Sequence, residues 1–135
     1  IRLNELNDLV DKFVLVESNV TFTNKKKELF YLKNKDKFAK FHDKIIHIIV
    51  DDSPDVVNPW IIENHQLSAV SRGLLHCKSN DTILISCIDE IPRKEKVLEY
   101  KEKPGKHKVF LQIMTRYFLN LAVKNQEWEG TRLFR

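Results

Sequence analysis

Three stretches of the chain set acidic or hydroxyl side chains directly after an apolar run. Glu17-Ser18 follows residues 13–16, Asp51-Asp52 follows residues 45–50, and Asp89-Glu90 lies in the stretch TILISCIDEIP at residues 82–92. Neighbouring carboxylates are hard oxygen donors suited to Mg²⁺ or Mn²⁺. They also accept hydrogen bonds from substrate hydroxyls and can take a proton from one as a general base. A solvated strand exit has the same composition, so no single pair is diagnostic; the recurrence is what points to a site. In an open α/β sheet, ligands bind beyond the carboxyl ends of the strands. Three parallel neighbouring strands ending at Glu17, Asp51 and Asp89 would gather these groups on one edge.

The elements that must position them follow from hydrophobic period. Residues 1–10 alternate Ile1, Leu3, Leu6, Leu9 and Val10 with polar residues, which predicts an amphipathic helix. Residues 13–16, 45–50 and 82–86 are apolar runs of strand length, and His47 reads as a core or sheet-face histidine. Residues 20–27 form a loop carrying Lys25, Lys26 and Lys27, and residues 28–32 suit either strand or helix. Residues 34–41 suit a helix capped by Asn34 with Phe38 and Phe41 inward. Pro59 opens a helix running to about His76, with Trp60, Leu67, Val70 and Leu74 as its core face. Gly73 near its end marks close packing.

Residues 93–103 read as a charged surface helix broken by Pro104-Gly105. Residues 109–123 are apolar and aromatic, enough for two strands or one long bent strand. Residues 128–132 read as a polar loop before a further strand at Leu133-Phe134. Helices alternating with strands predict an α/β fold, a mostly parallel sheet flanked by helices, in a single domain over residues 1–135.

Composition excludes several classes. Hydrophobic residues make up 42% and aromatic residues 10%, which is globular usage rather than disorder. No apolar run approaches the ~20 residues of a membrane-spanning helix. The net charge is +4, but acids interleave with lysines, as in Lys94-Glu95-Lys96. That pattern describes a solvated surface rather than a nucleic-acid face. Cys77 and Cys87 have neither zinc-ligand spacing nor the density of a disulfide scaffold, which fits a reducing, cytoplasmic compartment.

Several linked blocks resemble glycosyltransferase family 17. They are RLNELNDLVDKFVLVES, TFT, the strand ending in VDD, NPWIIENHQLSAVSRGL, ILISCIDEIP and EWEGTRLFR, in the family's order along essentially the whole chain. The resemblance implies a GT-A, Rossmann-like fold that is incomplete here. It also implies a UDP-sugar donor, typically UDP-N-acetylglucosamine, and inverting transfer to a hydroxyl of a glycan or glycoprotein acceptor. A eukaryotic member would work in the Golgi lumen. Asp89 matches the second acid of the family's Asp-x-Asp and is the implied ligand of a divalent cation, Mn²⁺ or Mg²⁺. Cys87 stands in place of the first acid, which weakens that site. Asp89 and Glu90 are the implied catalytic residues, and Glu17, Ser18, Asp51 and Arg72 the implied nucleotide-sugar contacts. Asp52 is a second possible base. Glu63, Gln66, Ser71, Arg72 and Gly73 match the family's helix, whereas Leu67 replaces its arginine.

Two other readings stand beside this one. Cys87 and Leu67 suit a degenerate member that binds a nucleotide sugar or a partner without transferring. Asp51, Asp52, Asp89 and Glu90 would also suit a two-metal phosphoesterase or nuclease, with the lysines attracting phosphate. The resemblance further implies an opening strand ahead of Ile1 and more chain beyond Arg135. The isolated 135 residues are therefore expected to transfer no sugar. Assaying that polypeptide with UDP- and GDP-sugars checks this, and robust turnover would contradict it.

Overall fold

The computed structural model describes residues 1–115 and 122–135, and side chains outside 114–126. In chain order the elements are α1 (Arg2–Leu6), β1 (Phe13–Ser18), α2 (Phe30–Lys33), a 3₁₀ segment (Lys35–Lys44), β2 (Ile45–Val50), α3 (Pro59–Ser68) and a second 3₁₀ segment (Ala69–Gly73). Then follow β3 (Ile83–Ile85), α4 (Lys94–Glu102), β4 (His107–Thr115) and β5 (Ala122–Phe134). The chain is mixed α/β and divides into two compact units, one of residues 10–77 and one of Ile1–Leu9 with Lys78–Arg135. Among the described residues, no helix is long and apolar enough to cross a membrane.

In the unit of residues 10–77, β1 and β2 pair in parallel, from Phe13 opposite Ile45 to Ser18 opposite Val50. Parallel neighbours need a long crossover, and residues 19–44 supply it with α2 and the first 3₁₀ segment. The chain at α3 and its 3₁₀ continuation packs on the pair. Asn58 caps α3 by accepting the Trp60 N–H at 3.1 Å, with Pro59 in the first turn. Tyr31, Phe41, Val50, Ile62 and Ala69 are this unit's buried apolar residues. The expected core stripe of α3 is out of phase: Trp60 is 71% exposed and Leu67 50%, while Ile62 and Ala69, one heptad apart, face inward. The helical period is right, but periodicity alone does not settle which of two mixed faces turns in. The capped helix is also shorter than expected, giving way to 3₁₀ geometry at Ala69.

The other unit holds the antiparallel sheet β3-β5-β4. Ile83 to Ile85 lie opposite Phe134 to Arg132, and β4 pairs with β5 from His107 opposite Phe134 to Thr115 opposite Ala122. Leu6 of α1, Val97 and Tyr100 of α4, and Leu133 of β5 are buried. Residues 128–132, expected as a loop, are the body of β5. Buried Thr131 and Leu133 alternate with exposed Arg132 and Phe134, and β4 supplies the pairing partners. Residues 109–123 accordingly belong to two strands. The apolar positions Tyr117, Phe118, Leu119 and Leu121 lie outside the described residues.

The expectation of three parallel neighbours is corrected at β3. It pairs antiparallel with β5 and does not join β1 and β2, so Asp89 does not follow a strand of the Glu17–Asp51 edge. Among the described residues, one parallel and two antiparallel strand pairings also replace the mostly parallel sheet. A short apolar run is compatible with either strand direction. The partner, here about fifty residues downstream, decides.

Gly73 of the second 3₁₀ segment packs directly against Val14 of β1. A Cβ there would overlap both γ-methyls of Val14, and β-branched side chains rotate poorly out of the way. Gly73→Ala should destabilise the protein by about 1–3 kcal/mol, the usual cost of overpacking. Urea unfolding reads the loss, and adding Val14→Ala should recover part of it.

Candidate functional site

At the carboxyl end of β1 and β2 the chain must satisfy the strands' last polar groups while turning sharply. The Asn19 N–H donates to the Val50 carbonyl at 3.1 Å, extending the ladder one step. Ser18 is buried, and its Oγ accepts the Val20 N–H at 3.2 Å, tightening the exit. Residues 19–27 then fold back on themselves. The Lys27 N–H donates to the Asn19 carbonyl and the Thr21 N–H to the Lys25 carbonyl, while Asn24 takes a left-handed φ of 58°. Asparagine tolerates that region better than most residues. Gln66 Nε2 donates to the Val20 carbonyl at 3.4 Å.

This loop and the start of the segment after β2 enclose an open cleft of about 430 Å³, lined by Asn19, Val20, Lys26, Lys27, Asp51 and Ser53. The Ser53 Oγ is buried without a hydrogen-bond partner, an uncommon state for a hydroxyl. Two lysines, one of them with its ammonium over the Phe30 ring at 5.8 Å, one exposed carboxylate and one unpaired hydroxyl give the lining a mixed basic and polar character that suits a ligand with both phosphate and hydroxyl groups. Lys26, Lys27 and Ser53 were not singled out as site residues from sequence. The lysine run reads as solvated surface until the loop turns it back against the strand ends.

The neighbouring acids have different work. Asp52 accepts both Arg72 Nη1 at 3.0 Å and Nη2 at 2.7 Å, and meets His65 Nε2 at 3.2 Å. Hydrogen bonds from Arg72, then His65, hold its carboxyl at about 2, below the ordinary 3.8. An acid so easily ionised is a weak base. Arg72 is in turn held by a carboxylate in a bidentate pair. Glu17 is buried, with 8% of its surface exposed. Its carboxylate accepts the N–H groups of Tyr31 at 2.7 Å and Leu32 at 3.3 Å, and contacts His47 Nε2 at 3.1 Å. It thus caps α2 from the end of β1. His47 is the sheet-face histidine expected, its ring edge-on to Tyr31 at 4.7 Å.

In the other unit, β3 ends in a turn at residues 87–90, closed by the Glu90 N–H donating to the Cys87 carbonyl at 3.2 Å. Asp89 is exposed and, among the described residues, has no hydrogen-bond or ion-pair partner. Glu90 is only 8% exposed. Its carboxylate accepts the Cys87 N–H at 3.0 Å and the Trp128 indole N–H at 2.8 Å. Its carbonyl accepts Thr131 Oγ1 at 2.9 Å and Arg2 Nη1 at 3.2 Å, and the same Arg2 nitrogen donates to the Cys87 carbonyl at 2.8 Å. Burial lowers the Arg2 pKa, and the Glu90 charge opposes that shift. Three sequence blocks, at the start, middle and end of the chain, therefore meet at Glu90. Cys87 is exposed and in no disulfide. Among the described residues no three His, Cys, Asp or Glu side chains are grouped to hold a metal ion. A cation here would rest on Asp89 with ligand oxygens and water, the lean coordination Mg²⁺-like ions accept beside phosphates.

The Asp52 pairing carries a pH signature. A carboxyl whose pKa is depressed on folding adds stability that is present above the unfolded value of 3.8 and lost as pH falls through about 2. Asp52→Asn should flatten the fall of the urea midpoint across that window. A variant curve parallel to that of the unaltered protein would contradict the pairing.

The glycosyltransferase family 17 model matches residues 1–132. The chain is 29% identical over 113 residues to the human β-1,4-mannosyl-glycoprotein 4-β-N-acetylglucosaminyltransferase, and equally so to the Rattus norvegicus protein. The Mus musculus protein is 28% identical over the same length. These alignments cover 78% of this chain but 21% of each relative, so the chain spans about a fifth of their length. No solved structure matches it. With nearly every residue inside the family match, the chain belongs to glycosyltransferase family 17.

Proposed function

We propose that the chain is part of the catalytic domain of a glycosyltransferase that moves a sugar from a nucleotide donor to a glycan hydroxyl. The observation that carries this reading is the family match across residues 1–132. The relatives' name, an N-acetylglucosaminyltransferase acting on a mannosyl-glycoprotein, supports N-acetylglucosamine as the sugar moved and a glycan or glycoprotein as acceptor; UDP-N-acetylglucosamine as donor and inversion at the transferred carbon complete the proposal. The parallel β1–β2 pair with its polar carboxyl edge supports a GT-A, Rossmann-like sheet. Residues 1–135 are then one partial catalytic domain.

The donor nucleotide fits the cleft at that edge. Asp51 would accept from its hydroxyls, and Lys26 and Lys27 would face its phosphates. Glu17 and Ser18 serve the cleft by holding the loop and α2 in place, and Arg72 by fixing Asp52. In the other unit, considered by itself, Asp89 would be the protein ligand of Mn²⁺ or Mg²⁺, a cation that would supply neutralisation of the charge on a leaving diphosphate. Cys87, where the family has an acid, favours a second reading, a member that binds the donor without transferring. A binding and donor-hydrolysis screen of the full-length protein across UDP- and GDP-sugars, with and without Mn²⁺, separates the two. Binding with neither hydrolysis nor transfer supports the second; no binding at all contradicts both.

Restoring the missing acid tests the Asp89 assignment. A second carboxylate adds a hard ligand and a negative charge. Cys87→Asp should therefore tighten Mn²⁺-dependent UDP binding by roughly tenfold, equivalent to about 1.4 kcal/mol. Asp89→Ala should abolish it. Calorimetric titration of UDP with and without Mn²⁺ measures both, and unchanged binding by Asp89→Ala would show the turn to be structural.

A further inference from the structure

Glu90 looks from sequence like a partner of Asp89 in the chemistry, yet its surroundings are those of an anchor. Both carboxylate oxygens are engaged, Oε2 by the Cys87 N–H at 3.0 Å and Oε1 by the Trp128 indole at 2.8 Å. Its carbonyl is held by Thr131 and Arg2, and Arg2 reaches across to the Cys87 carbonyl. The turn is thus closed on itself by the Cys87 and Glu90 N–H groups, and its two carbonyls and the Glu90 carboxylate are tied to Arg2 of α1 or to Trp128 and Thr131 of β5. Between Cys87 and Glu90, Asp89 stands exposed.

We propose that Glu90 is a positioning residue: with Arg2, Trp128 and Thr131 it locks the turn at residues 87–90 so that Asp89 is presented to a cation-bound diphosphate. The inference rests on the reading of Asp89 as the cation ligand. A general base needs an oxygen within reach of the acceptor hydroxyl. The Glu90 oxygens already serve a backbone N–H and an indole N–H within the fold. A ligand carboxylate, by contrast, gains most when its supporting bonds leave it one orientation. With a single protein acid available, the angle at which that acid is offered decides how tightly the cation is held.

Electron paramagnetic resonance of Mn²⁺ with UDP and the full-length protein tests this without relying on turnover. Glu90→Gln places an amide NH₂ against one of the two donors, and should raise the Mn²⁺ concentration for half-saturation about threefold to tenfold. Any transfer rate lost should return as Mn²⁺ is raised. Thr131→Val and Trp128→Phe each remove one bond to Glu90 and should shift the same midpoint by a smaller factor, about twofold to threefold, with the thermal midpoint as a check on folding. If Glu90→Gln fails to fold, these two decide. Unchanged midpoints in every folded variant overturn the proposal. So does a Glu90→Gln protein that binds Mn²⁺ and UDP normally yet transfers nothing at saturating Mn²⁺, which would make Glu90 the base. Failure of the unaltered protein to bind Mn²⁺ with UDP, or normal binding by Asp89→Asn, instead removes the Asp89 assignment itself.

Discussion

A carboxylate taken out of water must be hydrogen-bonded, because an unpaired buried charge costs several kcal/mol. That constraint shapes both units of this chain. In one, Glu17 collects two N–H groups from the start of α2 and the ring nitrogen of His47, joining the first strand to its crossover and to the second strand. In the other, Glu90 collects the Cys87 N–H and the Trp128 indole, while its carbonyl gathers Arg2 and Thr131. Each acid answers donors from separate stretches of sequence, so each closes contacts that hydrophobic burial, being non-directional, would leave loosely specified.

The acidic dipeptides at Asp51-Asp52 and Asp89-Glu90 divide their labour in the same manner. One member is bound into the structure: Asp52 by Arg72 and His65, Glu90 by Cys87 and Trp128. The other, Asp51 or Asp89, stays exposed. An acid held by charge-assisted hydrogen bonds stiffens the backbone on which its neighbour sits. The exposed neighbour can then meet a ligand without paying the ordering cost at the moment of binding. Adjacent residues of nearly identical chemistry thus occupy opposite environments, and on the proposed reading the exposed acids are the candidates for contact with a donor or cation.

The cleft beyond β1 and β2 adds a feature that neither acid supplies. Lys26 and Lys27 return to the strand ends only because the loop is closed by its own backbone bonds and by the left-handed Asn24. On the proposed reading, that basic lining would serve a nucleotide donor. A nucleotide donor brings phosphate charge that ammonium groups attract strongly in a partly enclosed space.

Local pattern was enough for the strands at residues 13–18 and 45–50, the helix opened by Pro59, the close packing at Gly73, the sheet-face His47 and the family blocks. Each of these depends on residues near one another or on block order along the chain. The direction of β3, the strand through Trp128, the inward face of α3 and the opposite fates of Asp89 and Glu90 were settled only by tertiary structure. Glu90 meets Trp128, Thr131 and Arg2 at separations of 38, 41 and 88 residues. Periodicity and propensity act over a few residues, whereas strand pairing and the burial of a charge depend on whichever distant groups the folded chain brings within hydrogen-bonding distance.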